Sequence, residues 1–230
     1  MKTVAVLAPM ELEYLPLLQS LQQPETRILG GTRCTIGTLG NLRVILYECS
    51  VGKVNAALHT QLLIDTHHPD IILNVGIAGS LTRLAGHCTP VVVTQCAYHD
   101  MRPGTLEKFH PYCSRFDCDP ELIALLWEAA GTDALTGLLV TGDKFISSQA
   151  QRQAVLDAFP GESPMCVEME SAAVAQVAYV NGVRFAALRC ISDLADDSAK
   201  DDCEQFEHLA ARRAAEIVVQ ALGGMEDSLC

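Results

Sequence analysis

Short apolar runs alternate with amphipathic segments along most of the chain. The runs are rich in Val, Ile and Leu, which is typical of strands buried on both faces, and the segments between them have helical spacing. The predicted strands are 3–7, 42–47, 71–75, 90–97, 135–140 and 185–191. The predicted helices are 11–21, 54–64, 121–130, 171–180 and 206–222.

This alternation predicts an α/β fold, with three α/β/α layers around a central mixed, mostly parallel sheet. Residues 27–46 contain two glycine-marked turns and predict a hairpin or meander added to that sheet. No repeat, linker or low-complexity segment interrupts the chain, so we expect a single domain over residues 1–230. The least regular stretch, residues 99–117, is a candidate substrate lid or interface arm.

Composition and charge narrow the classes of function. Apolar residues make up 49% of the chain and charged residues 19%, as expected for a folded core. The formal net charge of −12 argues against nucleic-acid binding, because a phosphate backbone needs a basic surface. No apolar run is long enough to span a membrane, and Glu11 and Glu13 interrupt the first run before it resembles a secretion signal. We therefore expect a cytoplasmic protein whose ten cysteines are reduced.

A metal site is not expected from the cysteines. Cys113 and Cys118 are too far apart in sequence for a CxxC pair, and no matching second pair follows them. His99 and His110 lie in the same stretch, so a site there stays open as an alternative.

Polar and glycine residues follow four predicted strands, at the carboxyl ends where ligands bind to parallel sheets. These segments are 8–13, 74–79, 141–146 and 189–193, and a helix opening at 167–170 adds two carboxylates. Each has a simple structural explanation: glutamates suit a first helical turn, Gly76 and Gly79 suit a tight strand-to-helix turn, and Ser192-Asp193 suits a helix N-cap. Their coincidence at one edge of one sheet favours a functional site.

Three common nucleotide and hydrolase motifs are absent. Gly52-Lys53 lacks the upstream glycine spacing of a phosphate-binding loop, and the chain has neither GxGxxG after a strand nor a GxSxG elbow. A nucleotide-dependent kinase, a dinucleotide-dependent dehydrogenase and an α/β-hydrolase are all disfavoured.

Seven segments, in order along the whole chain, carry a resemblance to a known family. They are Met10-Glu11-Leu12-Glu13, Ser50 to Ala57, Asn74 to Gly79, Tyr98-His99-Asp100, Thr141 to Ile146, Val167 to Glu170 and Arg189 to Asp193. Together they resemble the 5′-methylthioadenosine/S-adenosylhomocysteine nucleosidases of the purine nucleoside phosphorylase-like superfamily. The resemblance implies an enzyme that hydrolyses the N-glycosidic bond between adenine and a 5′-modified ribose.

The resemblance also implies roles for individual residues. Glu13 would activate the attacking water, and Glu170 with Met169 would bind the ribose. Asp193, supported by Ser192, would be the acid that serves N7 of the leaving purine.

Further positions would form the walls of the site. Phe145 would stack on the base and the backbone of Ile146 would read its edge, while Val51 would lie near the 5′ substituent. The turn Ile77-Ala78-Gly79 would line the nucleoside site. The family forms homodimers, in which a neighbour's loop closes the 5′ pocket.

Physical chemistry agrees with these implied roles. The bond breaks through an oxocarbenium-like sugar, with one acid serving the leaving group and one carboxylate activating water. Asp193 arrives on an apolar strand, where burial raises a carboxyl pKa towards neutrality. A phosphorylase needs arginines at its phosphate site, whereas the loop after the first strand carries Glu11 and Glu13 and no arginine. No metal or redox cofactor is required.

Two departures from the family pattern keep alternatives open. Ile77 stands where the family has a small hydroxyl residue, and residues 99–117 form a different loop. The alternatives are a futalosine-type nucleoside hydrolase, a purine nucleoside phosphorylase and a non-catalytic nucleoside-binding relative.

Overall fold

The structure is a computed structural model that describes residues 1–228, and most of them belong to strands and helices. The strands are β1 (Thr3–Ala8), β2 (Gln22–Leu29), β3 (Thr32–Leu39), β4 (Leu42–Glu48), β5 (Ile71–Ser80), β6 (Pro90–Tyr98), β7 (Phe116–Asp117), β8 (Leu135–Thr141), β9 (Cys166–Glu168) and β10 (Arg184–Asp193). The helices are α1 (Glu11–Leu18), α2 (Lys53–His67), α3 (Thr105–Lys108), α4 (Pro120–Ala130), α5 (Gln149–Asp157), α6 (Ser171–Asn181) and α7 (Ala199–Ser228).

The strands form one mixed sheet. Parallel ladders join β4, β1, β5 and β10 in that order, and a second parallel set joins β6, β8 and β9. Antiparallel ladders between β10 and β6 and between β9 and β5 connect the two sets, so these five strands close into a ring. The ring brings the ends of β5, β9 and β10 together.

An antiparallel meander of β2, β3 and β4 extends the sheet on its open side, as the glycine-marked turns predict. β2 is the edge strand and is exposed along most of its length. It carries Pro24 and the charged residues Glu25 and Arg27, which discourage further strand pairing at an open edge.

Helices cover the sheet in two groups. α7 packs on β5 and β10 together with its neighbours α1 and α4, whereas α6 packs on β6, β8 and β10 together with α2. Ile72 and Leu73 are consecutive residues of β5, so they point to opposite faces of the sheet, and both are buried. The three-layer arrangement with a mixed central sheet is therefore confirmed. No helix within residues 1–228 is long and apolar enough to cross a membrane.

The predicted strands and helices are present, with changed boundaries. β5 runs on to Ser80 and β10 to Asp193, while α1 ends at Leu18 instead of continuing to residue 21. The pattern did not indicate α3, α5, β7 or β9. These elements are short, and α5 is mostly polar, so hydrophobic periodicity gives little signal for them.

Three of the simple structural explanations considered for the candidate site segments are wrong. Gly76 and Gly79 do not make a strand-to-helix turn, because β5 continues through both of them. Ser192-Asp193 is not an N-cap pair, because both residues belong to β10, whose register shifts at this point. Glu170 is not in the first turn of a helix: it is the residue that precedes α6, after Glu168 has ended β9.

Candidate active site

One cavity, of about 230 Å³, lies where β1, β5, β9 and β10 end. Residues at these four strand ends, in the loops after β4 and β8, and in α1 and α7 line it. They are Pro9, Met10, Glu13, Val51, Ile77, Ala78, Gly79, Phe145, Val167, Glu168, Met169, Glu170, Ser192, Asp193, Cys203 and Glu207. Every site residue named from the sequence is in this set except Ile146. Ile146 lines an adjoining cavity of about 30 Å³, which shares Phe145, Met169 and Asp193 with the larger one.

Glu13 lies in the first turn of α1 and is 2% exposed. Its Oε1 accepts a hydrogen bond from the backbone N–H of Ile77 at 2.9 Å, and Oε2 accepts one from the N–H of Met10 at 2.8 Å. Burial raises the pKa of Glu13 to about 7, although the Arg189 guanidinium and these two donors oppose the shift. The carboxyl group is therefore poised to take up or release a proton near neutral pH.

Two glycines of β5 make room for the carboxyl groups. A Cβ at position 76 would overlap the carboxylate of Glu13, whose Cδ would be 2.9 Å away. A Cβ at position 79 would lie 2.8 Å from Oδ1 of Asp193. Gly76 and Gly79 are thus required by the close approach of two acids to the strand, and not by a turn.

Glu170 precedes the first turn of α6 and is 5% exposed. Its Oε1 accepts a hydrogen bond from the backbone N–H of Gly52 at 2.7 Å. Burial is the main cause that raises the pKa of Glu170 to about 8, and the charge of Glu168 is the second. The charge of Arg189 lowers this pKa. Burial therefore disfavours the ionised form of Glu170.

A buried ion pair lies beneath these groups. Nη2 of Arg189 is 2.7 Å from Oε2 of Glu168, and the side chains are 0% and 4% exposed. The same Nη2 donates to Oδ1 of Asn74 at 2.6 Å and to Oγ of Ser171 at 2.9 Å. Glu168 also accepts hydrogen bonds from the backbone N–H groups of Glu170 and Ser171. Hydrogen bonds from several elements thus stabilise the buried pair, while Nε of Arg189 is buried without a hydrogen-bond partner among the described residues.

Asp193 ends β10, lines the same cavity and is 2% exposed. Its Oδ2 accepts a hydrogen bond from Ser192 Oγ at 2.8 Å, and Oδ1 accepts one from the N–H of Ala195 at 2.9 Å. Burial raises the pKa of Asp193, and the two hydrogen bonds limit the rise. The structure therefore surrounds one cavity with three carboxyl groups whose pKa values are all raised.

The remaining walls are mainly apolar. Ile77, Ala78 and Met169 line the cavity, and Phe145 and Val51 lie at its rim, where they are 42% and 44% exposed. An apolar wall with a few convergent polar groups is typical of a site for a small organic ligand. None of the described residues that line the cavity is a lysine or an arginine. Within residues 1–228, no three His, Cys, Asp or Glu side chains converge as a metal ligand set would.

The sequence did not predict the roles of a buried ion pair or of two residues of α7. Glu168 and Arg189 stood inside the quoted motifs without a role, although a charged residue within an apolar strand is itself a signal of a buried partner. Cys203 and Glu207 reach the cavity from α7, which the periodicity predicted to begin only at residue 206. Their spacing of four residues places both on one face of the helix.

Comparison with known proteins shows the family to which the chain is similar. A family model described as "Phosphorylase superfamily" matches residues 3–223. The chain is 32% identical to the 5′-methylthioadenosine/S-adenosylhomocysteine nucleosidase of Listeria monocytogenes serotype 4b (strain F2365), over 96% of this chain and 98% of that protein.

Two solved structures are also similar to this chain. The Neisseria meningitidis 5′-methylthioadenosine/S-adenosylhomocysteine nucleosidase, in complex with methylthio-immucillin-A, has a TM-score of 0.92 and 31% identity over 97% of this chain and 100% of that one. The futalosine hydrolase of Helicobacter pylori has a TM-score of 0.89 and 27% identity over 97% and 98% of the two chains.

We predict that Gly76→Ala destabilises the protein by about 1–3 kcal/mol, because the added methyl group displaces the Glu13 carboxylate. Urea unfolding measures the loss. Gly86→Ala is the matched control, since nothing lies within 4 Å of a Cβ at that position. In a Glu13→Ala background the Gly76 substitution should cost less, and an equal cost in both backgrounds would contradict the proposed steric conflict.

We predict that Glu13→Gln gains stability relative to the wild type as the pH rises. The pKa of Glu13 is about 7 in the folded protein and 4.5 as its ordinary value, so its stabilising contribution is complete below 4.5 and is lost as the pH rises through 7. The unfolding free energies of mutant and wild type should therefore diverge from pH 5 to pH 8, by at most about 3 kcal/mol. Glu204→Gln, at an exposed position, is the control. A difference that is constant over this range would contradict the raised pKa.

Proposed function

The chain belongs to the phosphorylase superfamily, and within it to the 5′-methylthioadenosine/S-adenosylhomocysteine nucleosidases, and we propose that it hydrolyses the N-glycosidic bond of 5′-modified adenosines. The products would be adenine and the 5′-modified ribose. The observation that carries the proposal is the arrangement of Glu13, Glu170 and Asp193 around one largely apolar cavity.

Glu13 is the proposed general base. With a pKa of about 7 it is ionised in a large fraction of molecules at neutral pH, yet it is basic enough to take a proton from water. The water oxygen bonds to C1′ of the ribose while the C1′–N9 bond breaks, and the water proton passes to Glu13. The two backbone hydrogen bonds to its carboxylate fix the direction from which the water attacks.

Asp193 is the proposed general acid. Its raised pKa favours the protonated form, which can donate to N7 as electrons from the breaking bond move into the purine. The Ser192 hydroxyl and the Ala195 N–H both donate to the carboxylate that remains, so they stabilise Asp193 after the proton has left. Adenine then leaves as a neutral molecule.

Glu170 is the proposed ribose ligand, with Met169 against the sugar face. Among the described residues its carboxyl group accepts a hydrogen bond only from the N–H of Gly52, so one oxygen is available to a ribose hydroxyl. An ionised Glu170 beside the sugar would also stabilise the positive charge that develops on it.

The other wall residues have proposed binding roles. Phe145 would stack on the adenine and the backbone of Ile146 would read its edge. Val51 would contact the 5′ substituent, and Ile77 to Gly79 would line the nucleoside. The half-exposed rim at Phe145 and Val51 supports these roles, since it leaves apolar surface for a ligand to cover.

Hydrolysis is favoured over phosphorolysis by the charge of the cavity. A phosphate ion needs arginine or lysine donors, and none lines the cavity among the described residues. The group next to the proposed water is Glu13, whose carboxylate repels phosphate.

A futalosine-type nucleoside remains a second candidate substrate, supported by the similarity to the Helicobacter pylori futalosine hydrolase. The test is an adenine-release assay over methylthioadenosine, S-adenosylhomocysteine, 5′-deoxyadenosine, aminodeoxyfutalosine, inosine and AMP, each with and without phosphate. Adenine and free sugar without any phosphate requirement are expected. Sugar phosphate as the product would identify a phosphorylase, and binding of these nucleosides without turnover would identify a non-catalytic relative.

We also propose that the chain forms a homodimer of single-domain subunits in the cytoplasm. One continuous sheet supports a single domain, and the nine cysteines in residues 1–228 are free thiols, as in reducing compartments. Val54 and Leu58 of α2 are 77% and 56% exposed on one helix face, near Val51 at the cavity rim, which supports an interface between two copies there. Light scattering should give a dimer for the wild type and a monomer for Val54→Asp/Leu58→Asp.

We predict that Asp193→Asn lowers kcat/KM by about 100-fold or more, because loss of a general acid typically costs this much. Asp197→Asn, an exposed position four residues along the chain, is the control and should match the wild type. Thermal unfolding checks that both variants are folded. Near wild-type turnover by Asp193→Asn would remove Asp193 from the acid role.

A further inference from the structure

The first turns of α7 form one wall of the proposed nucleoside cavity. Cys203 and Glu207 line the cavity, and Cys203 Sγ donates to Oε2 of Glu207 at 3.8 Å. Burial raises the pKa of the Cys203 thiol to about 11, so this wall carries a neutral thiol. The cavity is complete only when this part of α7 is in place.

His87 holds the same turns from outside the cavity. Its ring stacks on Phe206, with ring centroids 4.0 Å apart and an angle of 12° between the planes. Its Nε2 lies 3.3 Å from Oδ2 of Asp202. One side chain thus contacts two successive turns of α7.

The contacts with His87 and with the cavity fall on neighbouring faces of the helix. Asp202 and Phe206 are four residues apart, as are Cys203 and Glu207, and the two pairs are offset by one residue, which is a rotation of about 100°. A side chain that fixes the first pair therefore fixes the direction in which the second pair points.

The loop that carries His87 is itself anchored to the active-site strand. The N–H of Cys88 donates to the carbonyl of Ile191 at 2.7 Å, and the N–H of Ile191 donates to the carbonyl of Thr89 at 3.1 Å. Ile191 directly precedes Ser192 and Asp193 in β10. His87 thus extends from a fixed point beside the proposed acid to the helix that closes the cavity.

We infer that His87 is a positioning residue for the proposed reaction: it holds the first turns of α7 against the cavity and so keeps the nucleoside site assembled. The inference rests on the proposed function. His87 does not line the cavity and takes no part in proton transfer. When it is removed, α7 spends part of the time away from the cavity. The apparent affinity for the nucleoside then falls in proportion to the fraction of molecules in which α7 is in place.

The test compares His87→Ala with Arg83→Ala, an exposed position in the same loop, in the full-length protein with methylthioadenosine as substrate. We expect His87→Ala to raise KM about fivefold to tenfold, with kcat within about twofold of the wild type. Hydrogen exchange of residues 199–207 should become faster in His87→Ala and not in Arg83→Ala. His87→Phe retains the stacking on Phe206 and should restore KM to within about twofold of the wild type.

A second variant removes the same contact from the helix side. Phe206→Ala should raise KM by a similar factor, which covers the case of a His87→Ala protein that does not fold. A wild-type KM in both alanine variants, or a fall in kcat at unchanged KM, would overturn the inference. Absence of adenine release by the wild type would instead overturn the proposed function, and the hydrogen-exchange comparison tests the position of α7 in either case.

Discussion

The buried ion pair of Glu168 and Arg189 is the interaction on which the site depends. Arg189 lies in the middle of the sheet with no exposed surface, where an unpaired charge would cost several kcal/mol. Glu168 supplies the opposite charge from β9, and Asn74 of β5 and Ser171 of α6 add hydrogen bonds. These contacts fasten together the ends of β5, β9 and β10 and the start of α6, and so position Glu170 and Asp193.

The same pair adjusts the pKa values of two carboxyl groups in the cavity. Arg189 lowers the pKa of Glu13 and Glu170, and Glu168 raises both, so the pair moderates the larger effect of burial instead of reversing it. Glu13 is consequently left with a pKa near neutrality and Glu170 with one slightly above it. Without Glu168, the charge of Arg189 would lower the pKa of both groups further, and Glu13 would then be a weaker base towards water.

Much of the fold could be predicted from the sequence, because its strands are continuous apolar runs and its turns carry glycine and proline. The continuation of β5 through Gly76 and of β10 to Asp193 could not be predicted. Glycine or a carboxylate at a strand end usually signals a turn or a cap. Here tertiary contacts decide: β10 pairs with β5 as far as Gly79, and β9 pairs with Gly79 and Ser80. The acids of α1 and β10 also need the glycines of β5. β9 has only three residues and exists because the ring of strands closes through it.

The proposed site could be predicted largely through the seven motifs, since the residues named from them, apart from Ile146, converge on one cavity. Spacing alone could not have joined Glu13 to Asp193 across the whole chain. Cys203, Glu207 and His87 escaped prediction because no motif contains them and their contacts depend on how α7 lies over the sheet. The pairing of Glu168 with Arg189 was hidden because either residue alone resembles an ordinary charged position.

The pH dependence of kcat/KM for methylthioadenosine tests the central assignment most directly, because it reports the ionisation of groups in the free enzyme. If Glu13 is the base, kcat/KM rises with pH through a midpoint near 7 in the wild type, and this rise is absent from the residual activity of Glu13→Gln. A wild-type profile that is flat from pH 5 to pH 8, or a rise that persists unchanged in Glu13→Gln, would contradict the assignment.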